Sequence, residues 1–188
     1  MDEENKKWLD GELNFYFRYK RKIIEGLIVG SCINVGCGEH IIPNAVNIDE
    51  NATKLPYKDN SFDTVVLSDV IEHIKNWEDA VKEALRTAKK KVIITVPAYK
   101  FLWSDYDKFL GHYRRYSKKD IDGYFKRNNL SLKYNVKFLF GMLTPLYYIR
   151  KFTSGETPNL PKTIDNFLYY LSHIRLPFGP TLLLEVYK

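Results

Sequence analysis

The stretch INVGCGEHIIPNAVNIDEN, residues 33–51, restricts the fold of this chain more than any other segment. A short apolar run ends in the turn Gly36-Cys37-Gly38, a second apolar run follows after a few residues, and Asp49 closes the segment. Glycines at the end of a strand let the backbone turn sharply and approach a ligand closely, because no Cβ stands in the way. A dinucleotide would need a third glycine and a helix N-terminus facing its pyrophosphate, with a ribose-binding acid roughly 20 residues further on. Here His40 takes the place of the third glycine, Pro43 interrupts the run, and Asp49 arrives too early. The spacing admits a loop and no crossover helix.

The rest of the chain alternates strand and helix patterns. CINV (32–35), AVNI (45–48), FDTVVLS (62–68) and KVIITVP (91–97) read as strands, as do LSLKYNVKF and TLLLEVY near the end. Residues 4–28 interleave Trp8, Leu13, Tyr16, Ile23, Ile24 and Leu27 with basic residues, predicting an amphipathic N-terminal helix. NWEDAVKEALRTAKK predicts a helix capped by Asn76, with Glu78 and Asp79 at its positive end, Lys89 and Lys90 at its negative end, and an apolar face of Ala80, Val81, Ala84, Leu85 and Ala88. Ser117 and Asp120 have capping-box spacing ahead of Ile121, Tyr124 and Phe125. Such alternation implies a mostly parallel sheet with helices on both faces, and a ligand beyond the carboxyl ends of the strands. With 188 residues, the chain is expected to form a single domain, 1–188, with a lid-like insertion at about 138–180. Cys32 and Cys37 are the two cysteines, which points to a reducing compartment without a disulfide framework.

A ligand that needs the close glycine approach and an acid for ribose hydroxyls, but carries no phosphate, suits the shortened turn. S-adenosylmethionine is such a ligand. VGCG (35–38), NID (47–49), LPYKDNSFDTVVLSDVIEHI (55–74) and FLWSDYDKFLGHYRRYSKKDI (101–121) resemble, in order, the motifs of class I, type 11-like S-adenosylmethionine-dependent methyltransferases. FYFRYKRKIIEGL is similar to the aromatic, basic helix that precedes the glycine motif in one branch of that family. The resemblance implies an α/β Rossmann-like methyltransferase fold with a mostly parallel seven-stranded sheet, an antiparallel last strand and, here, a shortened first crossover. It implies that Val35, Gly36, Cys37 and Gly38 form the turn under the methionine part of the cofactor. Asp49 would accept hydrogen bonds from the ribose diol, Glu50 and Asn51 would lie near ribose and adenine, and Leu55 would flank the adenine. Ser68 and Asp69 would approach the methionine end. Asn34 departs from the acid that the family commonly has there, and His40 from a small residue.

Transfer of a methyl group from a sulfonium asks the protein to align the acceptor and exclude water, with a base only where the acceptor must lose a proton. In WSDYDKFLGHYRRY, His112 is the expected catalytic residue, positioning or deprotonating the acceptor, and Trp103, Asp107, Arg114, Arg115 and Tyr116 are expected on the substrate side. Packing on the following helix equally explains Arg114 and Tyr116. Glu72 and His73 read as a structural contact at a helix start, and no metal is expected. The apolar and aromatic 138–180 segment with flanking Lys137, Arg150 and Lys151 suggests a small-molecule, lipid-linked or saccharide-linked acceptor and contact with a membrane surface, although core packing explains the same residues. The formal charge of +6 mildly favours anionic partners, but Lys and Arg are spread along the chain and nucleic acid is not the expected partner. No signal segment opens the chain, so a cytoplasmic location, peripheral to a membrane, is expected. The rival readings are a non-catalytic module that binds S-adenosylmethionine or a nucleotide, and an RNA-directed methyltransferase.

Overall fold

Cys32–Val35 (β1), Val46–Ile48 (β2), Phe62–Ser68 (β3), Ala88–Pro97 (β4), Lys133–Leu139 (β5) and Thr181–Tyr187 (β6) form one sheet in the order β2-β1-β3-β4-β6-β5 in the computed structural model. The structure describes residues 14–38, 40–128, 130–150 and 160–188. Residues 4–13 of the expected N-terminal helix and 151–159 of the insertion lie outside them. β2, β1, β3 and β4 pair in parallel, while β6 runs antiparallel between β4 and β5. The α/β class and the antiparallel last strand are as expected. The described strands number six rather than seven. Between β2 and β3 the chain makes turns, pinned by helix Trp77–Thr87 (α2): Leu55 N donates to Glu83 Oε1 at 2.8 Å, and Arg86 donates to the carbonyl of Tyr57 at 2.8 Å.

Alternation along the strands supplies two cores. Ile33, Val35, Val65, Leu67, Val92, Ile94, Leu182 and Leu184 face one side, under α2 and helix Lys118–Arg127 (α4). Cys32, Val66, Ile93 and Leu183 face the other, under helix Phe15–Glu25 (α1) and helix Lys162–Ser172 (α6). The short helices Asp105–Phe109 (α3) and Thr144–Arg150 (α5) complete the α-helices among the described residues. No described helix is long and apolar enough to cross a membrane.

Some boundaries moved. α4 begins with the expected capping box, in which Ser117 N donates to Asp120 Oδ2 at 2.8 Å. Asn76 precedes α2 without a side-chain capping bond, and Lys89 and Lys90 belong to β4 rather than to the helix end. Pairing of Phe62 with Ala88, together with the antiparallel partner β6, extends the strand past the helical pattern. The insertion leaves and re-enters the sheet at one point. A Cβ on Gly179 would stand 2.0 Å from the Leu139 carbonyl oxygen, and one on Gly141 would stand 2.6 Å from that of Phe178.

The β1–β2 connection is shorter than the dozen or so residues that a parallel crossover ordinarily uses. No described residue in it is helical. Its polar backbone groups are met by two asparagines opposite one another in the ladder. Asn34 Nδ2 donates to the His40 carbonyl at 2.8 Å and to Asn47 Oδ1 at 2.9 Å. Asn47 Oδ1 also accepts from Ile42 N, and its Nδ2 donates to the carbonyls of Ile42 and Ala45, at 2.9, 2.9 and 3.0 Å. Asn34 is only 1% exposed, so water cannot replace these bonds there. Leaving buried donors and acceptors unmet costs about 1–3 kcal/mol each. Asn47→Ala should therefore lower unfolding stability by at least ~2 kcal/mol in urea titrations, and Asn47→Asp, which sets a carboxylate oxygen against the carbonyls of Ile42 and Ala45, should lose no less.

Candidate functional site

The site gathers at the carboxyl edge of the parallel strands. Gly36 and Gly38 have φ of +64° and +47°, in the left-handed region that favours glycine. A Cβ on Gly36 would meet Val70 at 2.9 Å, which fixes that glycine from below. A Cβ on Gly38 would meet nothing within 4 Å, so the second glycine leaves open space over the turn. Cys37 N donates to the Ile48 carbonyl at 3.0 Å, tying the turn to the end of β2 beside Asp49. Burial pushes the buried Cys37 thiol up, and the charge of Asp49 adds to the shift. Asp49, Glu50 and Asn51 are exposed along one rim. Asn51 caps a local turn through Thr53, and Leu55 packs in the core at 5% exposure.

Three non-glycine residues with positive φ follow three strands that run in the same direction. Asp69 (+55°) follows β3, Tyr99 (+64°) lies just past β4, and Phe140 (+62°) follows β5. Backbone strain of this kind concentrates where a fold holds ligands. Asp69 accepts hydrogen bonds from Thr95 Oγ1 at 2.8 Å and Tyr16 Oη at 3.1 Å, and it forms a salt bridge with Lys20. Burial alone would raise its pKa, but Lys20 and the donated bonds hold the carboxyl below the usual carboxylate range. The same burial, with the Asp69 charge next to it, lifts the Tyr16 hydroxyl well above its ordinary value. Tyr16 and Lys20 lie one turn apart on α1, and both were invisible as site residues in the sequence, where a basic helix reads as a solvated face. Phe17 of the same helix stacks on His40, ring centroids 4.0 Å apart, and with Lys20, Ile42 and Ser68 these rings line a narrow pocket.

A second group lies beyond β3 and β4. Asp107 is fully buried and accepts from Arg115 Nε at 2.8 Å and Ser104 N at 2.9 Å, and its Oδ1 lies 3.0 Å from His112 Nδ1. Burial opposes its ionisation, and the bonds to His112 and Arg115 overcome it, holding the carboxyl low. His112 Nδ1 is thereby committed to Asp107, leaving Nε2 for other partners. Arg115 also donates to the Ala98 carbonyl at 3.2 Å, Arg114 donates to the Lys75 carbonyl at 2.7 Å, and buried Tyr116 donates to the Ile71 carbonyl at 3.0 Å. Trp103 is half-buried at the start of this segment. Among the expected substrate-side residues, Asp107, Arg115 and Tyr116 thus have their polar groups engaged by the protein. Glu72, His73 and His112 bring one ligand atom each within 4.8 Å of one another, a cluster that can hold a metal ion. Burial, then the Asp69 charge, pushes the Glu72 carboxyl well above the usual range.

Residues 33–96 match a family described as a methyltransferase domain. No curated protein matches the chain by sequence. Among solved structures, a SAM-dependent methyltransferase from Thermotoga maritima is 18% identical over 92% of this chain and 89% of its own, with a TM-score of 0.61. A SAM-dependent methyltransferase from Archaeoglobus fulgidus is 15% identical over 92% and 96%, with a TM-score of 0.52. The magnesium protoporphyrin IX methyltransferase of Synechocystis PCC 6803, with bound SAH, is 13% identical over 95% and 89%, with a TM-score of 0.53. At these identities the likeness is one of fold.

His40 offers a pH-dependent check on how α1 closes over the turn. Burial, and then the Lys20 charge, lower its pKa from 6.5 to about 4. The unfolded chain then takes up the proton first, so this contribution to stability is complete above pH 6.5 and is lost as pH falls toward about 4. NMR titration of the His40 ring should give a midpoint near 4, and His40→Gln should flatten this part of the stability–pH curve.

Proposed function

We propose that the chain is a class I S-adenosylmethionine-dependent methyltransferase whose turn and strand rim hold the cofactor as follows. Gly36 and Gly38, with Val35 and Cys37, pass beneath the methionine portion. Asp49 accepts the ribose hydroxyls, Glu50 and Asn51 lie along the ribose and adenine, and the Leu55 segment flanks the base. The observation that carries this reading is the open space over Gly38 beside an exposed carboxylate at the end of β2. The fit extends to the amino-acid end. There Asp69, its side chain 20% exposed, offers a carboxylate to the ammonium while Lys20 stays paired with it. The sulfonium supplies a methyl group ready for in-line displacement; the protein binds, orients and excludes water.

His112, fixed by Asp107, serves the acceptor by positioning or deprotonating it, with Trp103 and Arg114 nearby on the substrate side. The acceptor is a small molecule or a lipid- or saccharide-linked one. Exposed Phe109 and Tyr113 beside His112, and exposed Leu146, Ile164, Phe167 and Tyr170 on the 138–180 insertion, support an amphiphilic acceptor and a lid role for the insertion, with contact at a membrane surface.

Calorimetric titration with S-adenosylhomocysteine should give a Kd on the order of micromolar, weakened about tenfold or more by Asp49→Ala, with no binding of NADH. Absence of S-adenosylhomocysteine binding, or equal affinity in Asp49→Ala, would overturn the assigned cofactor site.

A further inference from the structure

We propose that Glu72, His73 and His112 form a binding site for a divalent transition-metal ion at the acceptor side of the cleft. Two imidazoles and one carboxylate are a donor set suited to zinc, iron(II), cobalt or manganese, and three protein ligands leave coordination positions open. Their ligand atoms lie within 4.8 Å of one another, and small rotamer changes bring such a set onto one ion at about 2.0–2.2 Å.

The second observation is independent of that proximity. Glu72 is 1% exposed, and its Oε2 is buried without a hydrogen-bond partner among the described residues. A carboxylate oxygen buried this way is costly unless a cation or donor meets it. Asp69, just before this turn, adds negative charge, and Lys20 and Arg115, whose charges also reach Glu72, form their ion pairs with Asp69 and Asp107 rather than with it.

The surrounding shell is built as metal ligands require. His112 Nδ1 engages Asp107 and leaves Nε2 as the atom free to meet an ion, the carboxylate–histidine arrangement that fixes a ligating ring. Asp107 is itself held by Arg115 and the Ser104 backbone. The segment carrying His112 is fastened to the segment carrying the other two ligands, since Tyr113 N donates to the Glu72 carbonyl at 2.7 Å. The two imidazole rings meet edge to face, centroids 4.6 Å apart.

This inference rests on the methyltransferase reading only for the ion's role, since an ion here would hold an acceptor atom in its open positions and make His112 a ligand rather than a base. It departs from the expectation that no metal is involved and from the reading of Glu72 and His73 as purely structural.

The test uses the full, untagged chain, stripped with a chelator and titrated with Co2+ by visible absorption and with Zn2+ by calorimetry, without methyl donor. One equivalent should bind, with cobalt ligand-field bands, and His73→Ala and Glu72→Gln should each weaken binding at least tenfold. His73 is exposed, so His73→Ala with an unchanged circular dichroism spectrum is the decisive variant. Absence of binding, or binding that His73→Ala leaves unchanged, would overturn the site. Titration of the same stripped protein with S-adenosylhomocysteine reports separately on the cofactor reading, so the two cannot fail for one another.

Discussion

The pair formed by Asn34 and Asn47 lets this sheet do without the helix that normally follows its first strand. A parallel neighbour must be reached by a crossover, and a crossover without regular structure exposes backbone groups that have to be met elsewhere. Two amides opposite each other in the ladder supply donors and acceptors to the His40, Ile42 and Ala45 backbone and to each other. The glycine turn is thereby held at the end of β1, and β2 stays in register to deliver Asp49 to its rim. Asn34 stands where the family that these motifs resemble commonly carries an acid. In this chain an amide at that position has a structural use that a carboxylate, unable to donate, could not fill.

With no helix after β1, the sheet face over Cys32 and Val66 is covered from elsewhere. α1 arrives from before the sheet and α6 from the insertion, and the two are joined where Phe15 N and Arg18 bond Asp165. The cover brings charge with it: Lys20 is carried inward to Asp69 and Tyr16 to the same carboxylate. A helix that supplies packing for the sheet therefore also sets the electrostatics at the Asp69 end of the cleft.

Much of this was legible from residues near one another. CINV and FDTVVLS gave strands with the observed limits because continuous apolar, β-branched runs leave little else to form, and Ser117 with Asp120 marked a helix start by a local bond. The glycine turn and Asp49 were recognisable as one unit because only a short loop separates them. Contacts made across the fold were not legible. Lys89 and Lys90 look like a helix end until a neighbouring strand recruits them, and Lys20 looks solvated until Asp69 is set beneath it. The Glu72–His73–His112 cluster joins two segments that only the order of β3 and β4 brings together. A seventh strand could be expected from resemblance alone, since nothing in the sequence between Asp49 and Ser61 shows that α2 pins that stretch as turns.

The meeting of Leu139 and Gly141 with Phe178 and Gly179 has a consequence for how such a chain can change over time. The segment between those residues begins and ends at a single close-packed spot, where only glycine fits against the opposing carbonyl. Beyond that spot Leu143 and Leu168 are anchored in the core under the sheet and Asp165 is tied to α1, while Leu146, Ile164, Phe167 and Tyr170 stay exposed. The exposed positions can therefore be exchanged at little cost to the sheet, so long as the buried anchors are kept. The junction works as a socket whose pins are fixed and whose outward face is free to vary.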